Sequence, residues 1–290
     1  MRTLLLAHMG GPESPEQLPG FLEKIFLDRD LLRLPLRPLT GRLLARLRLP
    51  EARRHYGRIG GASPLPALTR SLAAKLSAAL SDPGVEVRAV YTHARPGLPA
   101  AGGGLLVLPL YPQYSKVLAG AIERRLPGAK MLGSWHLEPA FLDCLEARLR
   151  AVLRGRGPGD TALLFLAHGL PLSAAAGDLY VGQVRETFQA LASRFPGWEA
   201  RLAYIGKAGP AEWTGPQAWD ELAALKGAKG IAAQYLSLPL DNVETLYDID
   251  IALGARAKAL GFGYFARAAS PNDGDDFASA LAGLVRGRLL

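Results

Sequence analysis

The sequence predicts an α/β protein built from doubly wound, Rossmann-like parallel sheets, and three observations predict it. Short apolar runs of strand length recur along the chain, helical repeats of a dozen or more residues separate them, and Gly, Pro and polar residues cluster directly after the runs. Parallel strands covered on both faces read as continuous apolar runs rather than alternating ones. Their alternation with helices is the pattern of the βαβ crossover.

Taken in order, Thr3–Ala7, Val85–Tyr91 and Leu105–Leu110 form a first set of strands. Ala162–Ala167, Arg201–Ile205, Ile231–Leu236 and Phe262–Ala266 form a second. Leucines and alanines at helical spacing predict helices over Leu68–Leu80, Phe141–Leu153, Val184–Phe195, Val243–Leu260 and Asp275–Leu289. Two similar α/β halves facing across a cleft follow. The boundary falls near Trp135, giving an N-terminal domain over 1–135 and a C-terminal domain over 136–290 whose last helix can pack back on the first.

At 290 residues with 49% hydrophobic and 21% charged residues, the chain can bury a substantial core, and disorder, coiled coil and fibre are excluded. The single cysteine, Cys144, leaves no internal disulfide and no thiolate cluster for zinc or iron–sulfur chemistry, so no resident cofactor is expected. Leu4–Leu6 is too short for a secretory segment and no run reaches the roughly 18 apolar residues of a membrane span, so a cytoplasmic location is expected. The net charge of +8 suits an anionic partner: nucleic acid, lipid or a small acidic substrate. Arginines interleave with leucines over Arg29–Arg58, including Arg33, Arg37, Arg42, Arg46, Arg48, Arg53, Arg54 and Arg58. Such a segment can lie on a membrane or flank a groove for an anion, although a solvated helix face would also account for it.

Ligands of doubly wound sheets sit beyond the carboxyl ends of the strands. There the sequence places Met9-Gly10-Gly11-Pro12, Tyr111-Pro112-Gln113-Tyr114-Ser115, His168-Gly169-Leu170-Pro171, Lys207 to Trp213, and Asp241-Asn242-Val243-Glu244. No GxGxxG or GxxxxGK[ST] loop occurs, so nucleotide binding loses its main support. His168 can titrate near neutrality and ligate a divalent metal. Asp241, Glu244 and Asp248, spaced i, i+3, i+7, are expected on one helix face as a carboxylate path, with charge compensation at a helix N-terminus as the plainer reading. Asp250 falls on another face, as a solvated residue. Tyr56, Tyr111, Tyr114 and Trp213 are core filler or the walls of a cleft for a large flat ligand, at whose rim Arg48 and Arg58 can pair with carboxylates.

Together these segments resemble the ferrochelatases, which insert ferrous iron into a porphyrin. The resemblance runs from about Leu4 to Leu290 and rests on six ordered motifs. They are Met9–Pro12 with Phe26–Asp30; Tyr56–Pro64; Leu110–Ser115; Ala167–Pro171; Lys207-Ala208-Gly209-Pro210 with Trp213; and Asp241–Tyr247. It implies two doubly wound domains with the porphyrin in the cleft between them. His168 and Glu244 then face its centre as the catalytic and metal-binding pair, on opposite sides of the cleft. Arg48, Tyr56 and Ser63 contact the porphyrin or its propionates, while Met9, Tyr111 and Trp213 line its faces. The implied partners are porphyrin and ferrous iron, with no nucleic acid. The basic segment resembles the family's active-site lip, which touches the membrane in some members.

The chain also departs from the family pattern. Asn242 stands where the family usually has histidine, Ala252 ends the row of acids that Glu244 and Asp248 begin, and Ile205-Gly206 replaces Gln-Ser before Lys207. The Arg-Tyr motif is replaced around Thr92–Pro96 and the helix after it is cut to Gly97–Gly104. The expected activity is insertion of iron into a porphyrin, protoporphyrin IX favoured over coproporphyrin III because of Met9. The alternatives are a porphyrin or haem carrier without turnover, or a chelatase for another metal or tetrapyrrole.

Overall fold

The computed structural model describes residues 2–32, 35–207, 211–225 and 227–289. Arg33, Leu290 and the Ala208-Gly209-Pro210 part of one motif lie outside these residues.

Two all-parallel, four-stranded sheets organise the chain. The first holds β1 (Arg2–His8), β2 (Val85–Tyr91), β3 (Leu105–Pro109) and β4 (Lys130–Met131) in the order β2-β1-β3-β4. The second holds β5 (Thr161–His168), β6 (Ala200–Ile205), β7 (Gly230–Tyr235) and β8 (Tyr264–Arg267) in the order β6-β5-β7-β8. The order is therefore the same in both halves. Each sheet opens on a strand with a continuous apolar run, which the topology then places centrally: Leu4–Ala7 and Ala162–Ala167 are fully buried. That is why these runs are legible as strands. β4, only two residues long, carries no sequence signal.

The helices are α1 (Leu18–Leu27), α2 (Arg37–Arg58), α3 (Leu65–Leu80), α4 (Ala119–Arg125), α5 (Pro139–Val152), α6 (Leu172–Ala175), α7 (Tyr180–Ala192), α8 (Ala218–Ala224), α9 (Gly254–Ala259) and α10 (Asp275–Arg288). The basic segment folds as α2, which packs along α1; a Cβ on Gly41 would lie 2.8 Å from the Phe26 carbonyl oxygen, so glycine permits this close approach. The expected helix over Val243–Leu260 is instead a π-helix, Glu244–Leu253, continued by α9. Its wider register is seen where the Gly254 N–H reaches the Ile249 carbonyl, an i to i−5 bond.

No helix covers the crossover from β2 to β3, residues 92–104. The bare sheet face there borders a groove of about 500 Å³ lined by Leu5, Ala73, Val87, Pro96 and Leu105.

One hydrophobic core runs through both halves. Trp135 is buried at their junction, donating its indole N–H to Pro109 O at 3.0 Å and meeting Phe141 edge to face at 4.9 Å. α10 packs on α3 and α5; Arg286 at its end donates to the Ala79 and Leu80 carbonyls. Gln113, after β3, donates to Leu236 O at 3.2 Å after β7, so the carboxyl ends of the two sheets are tied directly.

Candidate active site

His168 closes β5 and Glu244 begins the π-helix that follows β7. The order β6-β5-β7 reverses direction between β5 and β7, the switch point at which doubly wound sheets leave a crevice. The two side chains meet there: His168 Nδ1 lies 2.9 Å from Glu244 Oε1. They stand side by side, both on the C-terminal half, which corrects their expected placement on opposite sides of a cleft. The reason is that adjacent strands β5 and β7 both deliver their chain ends to one point.

The imidazole is the outer member, with 41% of its side chain exposed against 12% for the glutamate. Burial disfavours the imidazolium, yet the charge and hydrogen bond of Glu244, with help from Asp248, hold the His168 pKa above its ordinary value. Glu244 Oε2 accepts a hydrogen bond from the Tyr235 hydroxyl. Around them, Ser237 Oγ accepts the His168 N–H at 2.9 Å, and the Tyr180 hydroxyl reaches both His168 O and Ser237 Oγ. Gly206, at φ +90°, gives this pair room: a Cβ there would lie 2.7 Å from both Glu244 Oε1 and His168 Nδ1. In the sequence Ile205-Gly206 is legible only as a departure from a motif, and Tyr235, Ser237 and Tyr180 escape notice because isolated hydroxyls in apolar runs read as strand or core.

The carboxylates divide differently from the expected single face. Asp248 is largely buried and turned toward the pair; burial first, then the charge of Glu244, push its pKa up to about 7, against the pull of His168 and Arg48. Asp241 lies ahead of the helix and turns away. It accepts Ser270 Oγ at 2.7 Å and Asn272 Nδ2 at 2.9 Å and pairs with Arg267 at 3.1 Å. Burial would raise its pKa, but Arg267 and these hydrogen bonds hold it below the usual carboxylate value. Asp241 therefore holds the loop and does not extend a path; the spacing rule fails because the residue precedes the first turn. Asp250 is not free in solvent either: Arg267 binds it bidentately at 2.8 and 2.9 Å. Asn242 Oδ1 accepts the Glu244 N–H at 2.9 Å and its amide donates to Leu240 O, so this side chain is used within the loop.

The other candidates divide by half. Trp213 is half-buried beside the histidine, held by a bridge to Pro171, with Cε3 3.4 Å from where a Cβ on Gly169 would stand. Its buried indole N–H meets no partner among the described residues. In the N-terminal half, Met9 donates its N–H to the Tyr111 hydroxyl at 2.9 Å, which puts buried Tyr111 beneath the Met9 turn. Ser63 is buried under the Gly10-Gly11-Pro12 turn, donating its N–H to Pro12 O. Tyr56, buried near the end of α2, has its phenol pKa raised by burial and by Asp248, which places α2 against the π-helix. His55 beside it stacks on Tyr247 at 3.8 Å. Arg48 is half-exposed and pairs with Glu51 at 2.7 Å. Tyr114 turns to Glu123, its hydroxyl 3.2 Å from that carboxylate. Among the described residues, no group of three or more His, Cys, Asp or Glu side chains is placed to hold a metal ion. No helix there is long and apolar enough to cross a membrane.

The profile of the ferrochelatase family matches residues 2–289. The chain belongs to the ferrochelatase family. It is an enzyme of that family, a porphyrin metal chelatase. It is 32% identical to the ferrochelatase of Geobacter metallireducens over 98% of this chain and 97% of that protein. It is also 32% identical to that of Gloeobacter violaceus over 97% of this chain and 96% of that one. Among solved structures its fold is similar to that of CbiX, described as the terminal enzyme of sirohaem biosynthesis in denitrifying bacteria, with a TM-score of 0.62 at 18% identity and full coverage of both chains.

Proposed function

We propose that this ferrochelatase-family chain inserts Fe²⁺ into a porphyrin, protoporphyrin IX in preference to coproporphyrin III, with loss of the two pyrrole N–H protons. The observation that carries the reading is the hydrogen-bonded pair of His168 and Glu244 at the switch point of the second sheet. A neutral His168 donating Nδ1–H to the carboxylate keeps its Nε2 lone pair free. That nitrogen takes a pyrrole proton, and Glu244 stabilises the resulting imidazolium. Imidazole and carboxylate are also suitable ligands for ferrous iron on its way to the macrocycle. Asp248, with a pKa near neutrality, is suited to accept the second proton. Fe²⁺ is substrate here, and no resident cofactor is called for.

Met9 and Trp213 are assigned to the macrocycle's faces, with Tyr111 supporting the Met9 turn, Ser63 behind it and Tyr56 beside the π-helix. Arg48 serves the propionates at the rim. Protoporphyrin carries two carboxylates and coproporphyrin four, and the apolar Met9 offers no donor to an additional propionate. α2 presents Leu39, Leu43 and Leu47 to solvent on one stripe beside arginines, with exposed Leu36 just before it, an arrangement suited to peripheral contact with an anionic membrane from the cytoplasmic side.

Anaerobic insertion by the purified protein tests the proposal through loss of porphyrin fluorescence with Fe²⁺ or Zn²⁺, using both porphyrins in parallel. Turnover that is faster with protoporphyrin and lost in His168→Ala and Glu244→Ala is expected. Tight binding of porphyrin without turnover would instead establish a carrier.

A further inference from the structure

We propose that Tyr235 is a positioning residue for metal insertion: its hydroxyl, donating to Glu244 Oε2, pins the carboxylate whose other oxygen holds the His168 ring with Nε2 toward the cleft. The inference rests on the reading of His168 and Glu244 as the insertion pair and adds the group that orients them.

A carboxylate held by one hydrogen bond can rotate about its terminal torsion, which is broad for glutamate. Held at both oxygens from different elements, it cannot. Tyr235 ends β7 and is buried, so its hydroxyl position is set by the sheet. A phenol has a single proton to give, and Glu244 Oε2 receives it; Oε1 is left to the Nδ1–H of His168. This selects the Nδ1–H tautomer of the neutral ring. Two residues on, Ser237 accepts the His168 backbone N–H, and the Tyr180 hydroxyl ties Ser237 to the His168 carbonyl. The segment from Tyr235 to Ser237 thus fixes the ring of His168 through Glu244 and its backbone directly. Burial and the charge of Glu244 keep the Tyr235 phenol protonated and able to donate.

The test is Tyr235→Phe, which keeps the ring and removes the hydroxyl. Porphyrin affinity should remain near wild type and the unfolding temperature fall by only a few degrees, as for the loss of one hydrogen bond, while kcat for Zn²⁺ insertion falls by roughly 10–100-fold, the usual loss when a group supporting a metal ligand is removed. ¹⁵N NMR of the His168 ring should show the Nδ1–H tautomer giving way to a mixture. Wild-type kcat, or an unchanged tautomer, would overturn the proposal. If the Phe variant does not fold, 3-fluorotyrosine at position 235 alone decides: the more acidic phenol should move the hydrogen-bonded hydroxyl proton downfield, and an unmoved signal refutes the contact. If even the wild type binds porphyrin without inserting metal, the activity reading fails, while the tautomer measurement still decides the role of Tyr235.

Discussion

Gly206→Ala adds one methyl group at the point where the structure has least room for it. The added Cβ would lie 2.7 Å from Glu244 Oε1 and 2.7 Å from His168 Nδ1, well inside van der Waals contact, on a residue whose φ is +90°. The left-handed backbone alone costs an L-residue about 1–2 kcal/mol. Overpacking adds about 1–3 kcal/mol, because neither polar neighbour can retreat without losing its hydrogen bond. A total of about 2–5 kcal/mol corresponds to a fall in unfolding temperature of roughly 3–8 °C for a chain of this size. The relief available is to push His168 and Glu244 apart, so insertion should fall by about 10–100-fold with porphyrin affinity kept. Thermal unfolding, porphyrin fluorescence titration and Zn²⁺ insertion measure the three effects separately. A variant as stable and as active as wild type would show that the pair is not packed on Gly206 and that its short separation is not needed for turnover.

Asp248→Asn addresses the buried carboxyl. Its folded pKa of about 7 lies above the ordinary aspartate value of 3.8, so the folded state binds the proton more tightly and wild-type stability falls as pH rises from about 4 to about 7. The Asn variant should lack that slope and be the more stable protein at pH 8, as unfolding temperature against pH would reveal. Asn242→Ala removes the acceptor for the Glu244 N–H and should cost about 1 kcal/mol, read as a shift in urea midpoint with unchanged m-value. Leu39→Asp combined with Leu43→Asp should abolish sedimentation with anionic vesicles and leave insertion with detergent-solubilised porphyrin intact; retained sedimentation would exclude this stripe as the membrane contact.

How much of the molecule is legible in its sequence depends on which signals are local. Leu4–Ala7 and Ala162–Ala167 announce themselves because a central parallel strand needs apolar residues on both faces. The placement of His168 and Glu244 at the carboxyl edge of the sheet is legible because both follow apolar runs of strand length. Their contact is not, because it depends on β5 and β7 being neighbours, a fact of topology that no single segment contains. The misplacement of Asp241 has the same character. Helical spacing treats it as the first turn, whereas Arg267, Ser270 and Asn272, from β8 and the loop after it, draw it out of the site. The shared face of Glu244 and Asp248 emerges from the wrong period, since α-helical spacing does not describe a backbone that forms a π-helix. α2 escapes the helix assignments because its leucines and arginines mark no single buried stripe and Pro50 interrupts the pattern.

The repeated strand order also shows how the two halves diverge at equivalent strand ends. β1 and β5 are the equivalent central strands, and both end in Ala-His: Ala7-His8 and Ala167-His168. His8 is fully buried; its Nδ1 accepts the Gly10 N–H at 3.0 Å, which leaves Nε2–H for Thr69 Oγ1 at 2.7 Å. With both nitrogens used and no carboxylate beside it, burial lowers its pKa to about 3, so it stays neutral and holds the Met9 turn. His168 has one nitrogen on Glu244 and the other face open, so its pKa rises instead. The same residue at the same place in the same topology is thus a fixed, neutral support in one half and an open imidazole paired with a carboxylate in the other. The difference lies in the segment after the neighbouring strand. Beyond β7 the chain enters the π-helix with Glu244, whereas beyond β3 it supplies Tyr111, whose phenol can accept from Met9 and carries no charge to offer a histidine.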